Sequence, residues 1–210
     1  MKKLGVNLLM LFGKAWAYLY SHNTSERVSM LKVILYSAWI SGEFKSFGKM
    51  SSIHSHCYLL GVKYISIGDG STIGKRTILT AWDKHGSNTF IPQITIGHNV
   101  SIGEDSHITA INKIEIGNNV LTGNNVTITA NSHGKSNLEM LYIPTGARPL
   151  YSGGPAIITD NVCIGDKVTI LPNVRIGKDA IIGANAVGTR DIPSNCVAGG
   201  ITAKVIKLMA

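Results

Sequence analysis

Acidic residues are scarce in this chain: 12 Asp and Glu stand against 20 Lys and Arg, a formal charge of +8 over 210 residues. A surplus of that size points toward anionic partners, whether phosphorylated cofactors, nucleic acid or a membrane face. Nucleic acid is the weakest of the three, because no dense Lys/Arg run and no helix-turn-helix or zinc-finger pattern is present. Cysteine is also sparse. Cys57, Cys163 and Cys196 are scattered and odd in number, which leaves no C-x-x-C pair for metal or redox work. They read as reduced, mostly buried thiols of a cytosolic protein, and no metal is expected. A long uninterrupted apolar run is missing too. The opening "MKKLGVNLLMLFGKAWAYLY" imitates a secretory signal, with its basic start and small-x-small "AWA". Asn7 and Lys14 interrupt it, however, and it is short for a membrane span of roughly 20 apolar residues.

What is present supports a globular core: 44% of the residues are hydrophobic, and the length suits one domain plus an appendage. In the opening segment Leu4, Leu8, Phe12, Trp16 and Tyr20 fall four apart. That spacing predicts an amphipathic helix, packed on the domain or lying on a membrane surface. A second helix follows, with Asn23 as its expected cap, Glu26 three residues on, and "RVSMLKVILYSAWI" continuing the apolar face to about residues 41–42. Residues 1–50 are therefore read as a helical segment.

From about Ile65 the period changes. An aliphatic residue, often followed by Gly, recurs every six positions: Ile67 and Ile73, then Ile96, Ile102 and Ile108. After a two-residue shift come Ile116, Thr122 and Ile128, and beyond a break Ile158, Ile164, Ile170, Ile176 and Ile182. Four residues after many of these anchors sits a second small or aliphatic side chain, such as Val100, Val120, Val126, Val162, Val168, Val174, Ala180 and Ala186. A short fixed repeat of this kind builds stacked coils in which each anchor is buried against the coils above and below. Neighbouring coils pair as parallel strands about 4.8 Å apart. Asn118, Asn119, Asn124 and Asn125 are read as turn residues, since Asn and Gly tolerate the left-handed backbone that tight corners need.

The stretches "IGNNVLTGNNVTITANSHG", "IITDNVCIGDKVTILPNVRIGKDAIIGANAVGTRDIPSN" and "AKVIK" resemble the hexapeptide-repeat acyltransferases. Within that family they are most similar to the sugar O-acetyltransferases of the galactoside and maltose acetyltransferase type, including those of polysaccharide biosynthesis. The resemblance covers roughly residues 66–207. It implies a mainly β fold, a left-handed parallel β-helix of triangular cross-section assembled as a homotrimer, with acetyl-CoA as acyl donor. On that basis residues 51–207 form the acyltransferase domain, residues 134–156 a loop extruded from the coils, and residues 208–210 a tail.

The apolar pattern breaks off at His133, within "TANSHG". The resemblance implies that this histidine ends a coil between two subunits and acts as general base on an acceptor hydroxyl. A sugar hydroxyl is a poor nucleophile at neutral pH, and an imidazole, with an ordinary pKa of about 6.5, can take its proton as the oxygen attacks a thioester. Ala130 and Asn131 stand where the family often has Asp and His, so Asn131, Ser132 or a backbone carbonyl is expected to orient the imidazole instead. The long loop offers Tyr142, Arg148 and Tyr151 as acceptor contacts, and the earlier insertion "AWDKHGSNTF" offers Trp82, Asp83 and His85. His107 and His98 are read as structural.

The resemblance also implies a donor site for coenzyme A between neighbouring subunits' C-terminal coils. The matching positions are Gly165, Asp166, Gly183 and Ala184, whose main chain can bond the pantetheine amides, with Thr189, Arg190, Lys204 and Lys207 toward the phosphates. Thr202 and Cys163 depart from the family's usual proline and aromatic. Serine O-acetyltransfer and amino-sugar N-acetyltransfer use similar parts, and a non-catalytic scaffold is the rival of another class. A zinc carbonic anhydrase would need further closely spaced histidines, and none follows His133. The expected setting is the cytoplasm, with the N-terminal helix free to touch the inner membrane face.

Overall fold

The computed structural model of the protein describes residues 2–209. Met1 and Ala210, the outermost residues of the expected N-terminal segment and C-terminal tail, lie outside them, as does the side chain of Leu4 in the apolar series.

The six-residue repeat becomes a left-handed parallel β-helix with three sheets as its faces. Face one stacks the strands beginning Ser46, Ile65, Gln93, Lys113, Ala156 and Val174. Face two runs from Ser52–Ile53 to Cys196–Gly199, and face three from Tyr58–Leu60 to Val187–Gly188. Each repeat anchor points inward, and Ile73, Ile96, Ile108, Ile116, Ile128, Ile158, Ile164 and Ile170 are essentially without solvent contact. The second small residue of each repeat, from Val100 to Ala186, is equally buried. Full burial of one such aliphatic side chain contributes about 1.5–3 kcal/mol, so the ladder of isoleucines is the main source of stability.

The corners follow the turn chemistry. Asn99, Asn119, Asn125, Asn161, Asn173 and Asn185 all have φ between 55° and 61°, the left-handed region that Asn tolerates better than most residues. Their amides also join coil to coil: Asn99 Nδ2 donates to Asn119 Oδ1 (3.3 Å), Asn119 to Asn161 (3.0 Å) and Asn161 to Asp179 (2.9 Å). Asn118 and Asn124 act differently, their Oδ1 atoms accepting from the backbone N–H of His98 and Glu104 in the preceding coil.

Register locates the two long insertions. Ile164 pairs with Ile182, a step of 18 residues, or three hexapeptides. Ile73 pairs with Ile102 after 29 residues and Thr122 with Ile164 after 42, so those coils carry 11 and 24 extra residues. Both surpluses leave at one place, the corner after face three, where Ala81, Ala110 and Ala130 stand in register. The two loops, 82–92 and 131–155, therefore project from the same edge, separated by one coil.

The N-terminal helices refine the expectation. Of the two settings expected for the first, α1 (Lys2–Leu19), packing on the domain is not the one seen: every residue from Gly5 to Tyr18 is exposed. The second, α2 (His22–Ile40), is capped by Ser21 rather than Asn23. Ser21 is extended (φ −71°, ψ 159°) and its Oγ accepts from the Thr24 N–H, which puts Asn23 inside the first turn. Val33, Ser37 and Ile40 of α2 cover the first coil, where Ser37 Oγ accepts from the Ile53 N–H at 2.9 Å. At the other end Lys204–Leu208 folds back antiparallel on Cys196–Gly199 and pairs the open edge of face two.

Candidate active site

The third corner gathers most of the candidate acceptor residues. Face three ends at Ala130; the next two residues to pair, Ser132 and His133, run antiparallel to Leu150–Tyr151 and close the long loop at its base. The loop therefore leaves the coil at Asn131, three residues before the expected position. It is also not structureless, holding short 3₁₀ turns at Leu138–Tyr142 and Thr145–Ala147. Gly134, with φ +80°, lets Arg148 lie close against the turn after His133: a Cβ there would meet Arg148 Cδ at 3.1 Å and Met140 Sδ at 3.4 Å. Arg148 Nε donates to Ile143 O (3.0 Å), which fixes that side chain inside the loop. Tyr142 is exposed, and Lys135 stands 5.3 Å from the Tyr151 ring centre.

The earlier insertion forms a hairpin, Lys84–His85 against Asn88–Thr89. Its base is tied to the corner before it. Asp83 Oδ2 accepts from Tyr64 Oη at 3.0 Å and pairs with Lys63 Nζ at 3.1 Å. The Lys63 and Tyr64 hydrogen bonds hold the Asp83 carboxyl below the usual carboxylate range. Trp82 is half-buried and its Nε1 donates to Thr80 Oγ1 (3.2 Å). The hairpin so held brings His85 edge-on to Trp82 (6.2 Å between ring centres) and edge-on to His133 (5.9 Å). Tyr64 and Lys63 were not singled out in the sequence; the available signal was their position just before Ile65, where the six-residue period sets in, at the same corner one coil earlier.

The expected orienting groups for His133 do not serve. Ser132 Oγ donates to the Gly134 and Tyr151 carbonyls, and Asn131 Oδ1 is buried without any hydrogen-bond partner. Among the described residues no hydrogen bond reaches the His133 ring. Its neighbour is an imidazole, His85, brought by a loop one coil away. His107 is half-buried on face three, where burial lowers its pKa, and His98 Nδ1 accepts the Asp69 N–H at the first corner.

The donor candidates divide between two places. Gly165, Asp166, Gly183 and Ala184 form a ledge on the second corner, where consecutive coils touch so closely that a Cβ on Gly165 would sit 2.6 Å from Ala184 N. Ala184 is exposed, but one Asp166 oxygen already accepts from the Asn124 N–H at 2.7 Å. Lys204 and Lys207 project nearby from the terminal strand paired to face two. Thr189 and Arg190 lie on the third corner instead, following Val187–Gly188 at the end of face three. Arg190, Lys204 and Lys207 are exposed and form no ion pair among the described residues, so their charges are available to phosphate. An open groove of about 580 Å³ on the first corner, lined by Asp69, His98, Glu115 and Asp160 among others, contains none of the candidates. No group of three His, Cys, Asp or Glu among the described residues can hold a metal.

Comparison with known proteins agrees with the repeats. Residues 155–187 match the family described as bacterial transferase hexapeptide (six repeats), and residues 93–130 the hexapeptide repeat of succinyl-transferase. WbbJ of Escherichia coli (strain K12), to which a lipopolysaccharide-biosynthesis O-acetyl transferase role is ascribed, is 32% identical over 155 residues, 72% of this chain and 75% of that one. Among solved structures, an AntD N-acyltransferase from Bacillus cereus, in complex with dTDP-4-amino-4,6-dideoxyglucose and coenzyme A, superposes with a TM-score of 0.67 at 20% identity, covering 83% of this chain and 89% of that one. A maltose O-acetyltransferase from Clostridium difficile 630 does so with a TM-score of 0.53 at 26% identity, covering 83% and 74%. With coils built on the six-residue repeat and a relative similar over most of both lengths, this chain belongs to the hexapeptide-repeat acyltransferase family.

Proposed function

We propose that the protein is an acetyl-CoA-dependent O-acetyltransferase that acts on a hydroxyl of a sugar or polysaccharide precursor, with His133 as general base. The observation that carries this reading is the convergence of two separate insertions on one corner, so that His133 lies beside His85, itself edge-on to Trp82, where a sugar ring can be held. In the reaction the His133 imidazole takes the proton of the acceptor hydroxyl as its oxygen attacks the thioester carbonyl. The C–O bond forms, the C–S bond breaks, and the thiolate of coenzyme A leaves and is protonated. No covalent enzyme intermediate is needed when donor and acceptor are bound together.

A homotrimer with the site between subunits completes the proposal. On one chain, face three separates His133 from the Gly165–Ala184 ledge, so a second copy that presents its ledge to His133 would close the site. Arg190, Lys204 and Lys207, which form no ion pair among the described residues, would then bind the phosphates. The likeness to WbbJ supports O-acetylation in polysaccharide biosynthesis, and a cytoplasmic setting follows from the donor. Amino-sugar N-acylation is the second reading, favoured by the fold shared with AntD. Measuring thiol release from acetyl-CoA across a panel of hydroxyl and amino sugars, free and nucleotide-linked, tests the choice. Turnover confined to amino sugars would overturn the O-acetyl reading, and a fully active monomer by light scattering would overturn the shared site.

A further inference from the structure

The helices ahead of the coils leave two apolar surfaces uncovered. At 3.6 residues per turn, Leu8, Leu9, Phe12 and Trp16 share one side of α1, while Asn7 and Lys14 lie on the other, flanked by the exposed Met10, Leu11 and Tyr18; Leu9 is 74% and Phe12 72% exposed. On α2, the side opposite Val33, Ser37 and Ile40 carries Leu31, Leu35 and Trp39, with Ile34 at its margin, all exposed. Apolar exposure on this scale marks an interaction surface. Charge indicates its partner. Residues 1–35 contain Lys2, Lys3, Lys14, Arg27 and Lys32 against one acid, Glu26. Two of the three tryptophans, Trp16 and Trp39, lie here and are exposed, and such amphipathic rings favour the headgroup level of a bilayer. Neither helix is long and apolar enough to cross a membrane.

We propose that α1 and the outer side of α2 lie in the surface of an anionic lipid bilayer, apolar side chains down and Lys14 toward the headgroups. A helix with an apolar stripe and a basic polar stripe binds in this way through buried apolar area and attraction to acidic lipid. The proposal stands independently of the acetyl-transfer reading.

The test is co-sedimentation of the full chain with vesicles of phosphatidylcholine alone or with a third phosphatidylglycerol. The protein should pellet with the anionic vesicles and do so weakly with the neutral ones. The double variant Leu9→Glu/Phe12→Glu should reduce binding more than tenfold. Lys14→Glu should reduce it about five- to thirtyfold, for a reversal at roughly 1 kcal/mol per charge. Neither change should shift thermal unfolding, because α1 is exposed from Gly5 to Tyr18. In a chain keeping only Trp16, emission should shift to the blue on mixing with anionic vesicles. Failure of the parent protein to bind either vesicle, or unchanged binding in both variants, would overturn the proposal. So would light scattering in which the double variant splits a larger particle, since the apolar side would then be a contact between copies.

Discussion

Replacing His85 tests whether the hairpin matters to the chemistry through His133. The two rings meet edge to face with centres 5.9 Å apart, and an aromatic pair in that geometry contributes about 0.5–1.5 kcal/mol beyond its buried area. If that contact is what holds the His133 ring in its reactive orientation, His85→Ala should lower kcat by about two- to thirteenfold, since 1.4 kcal/mol is a factor of ten. His85→Phe keeps an aromatic edge and should recover most of the loss. His133→Ala removes the base itself and should lower kcat by about 10²–10⁴. Neither change touches the isoleucine ladder, so thermal unfolding should move little, as for other surface substitutions. The decisive measurement is a double-mutant cycle on thiol release with the best acceptor. In the His133→Ala background, His85→Ala should have almost no further effect, because positioning a missing base is worth nothing. Equal losses in both backgrounds would show that His85 acts on substrate independently and refute the positioning argument, and near-normal turnover in His133→Ala would remove the base from this corner.

The remaining predictions concern the donor, the core and pH. Arg190→Ala, Lys204→Ala and Lys207→Ala should raise KM for acetyl-CoA more than they lower kcat, because contacts remote from the thioester are alike in ground and transition states; unchanged KM in all three at two ionic strengths would place the phosphates elsewhere. Ile128→Ala, fully buried between Ile108 and Ile170, should cost about 2–5 kcal/mol in urea unfolding, and a loss below about 1 kcal/mol would mean the ladder relaxes around the gap. Burial holds the folded pKa of His107 below 6.5, and burial followed by the Lys75 charge does the same for His54. Below pH 6.5 the unfolded chain therefore binds protons that the folded chain resists, so stability should be at its full value above that pH and fall as pH drops through 6.5 toward the folded values. The double variant His54→Gln/His107→Gln should flatten that slope in melts between pH 8 and pH 5; an unaltered slope would assign the acid sensitivity to other groups.

Much of the coil was readable in one dimension because its period is local. Ile67 through Ile182 recur at a spacing that forces each onto the inside of the same turn, and the asparagines that follow mark the corners by backbone preference alone. His133 stood out for the same reason, at the point where the period breaks. The ends were harder. Ser21 and Asn23 are both good caps, and the choice turned on where the chain leaves Tyr20, a matter of backbone angles rather than composition. α2 is apolar on two sides, so its pattern does not say which side meets the first coil; the bond from the Ile53 N–H to Ser37 Oγ identifies it.

Stacking determined the composition of the corner. His85 and His133 are 48 residues apart in the chain, and no periodicity relates them. They meet because insertions of 11 and 24 residues leave from the same edge of coils in strict register, with Asp83 tied down by Lys63 and Tyr64. The separation of the Gly165–Ala184 ledge from His133 has the same origin. Linear spacing states how many residues lie between two groups, but a three-sided coil returns to each edge only after a full turn, and the edge decides which groups become neighbours. Side-chain types and repeat length were therefore enough to specify the turn and its buried ladder, while the register of one turn on the next, a long-range hydrogen-bonding property, selected the residues that share a site.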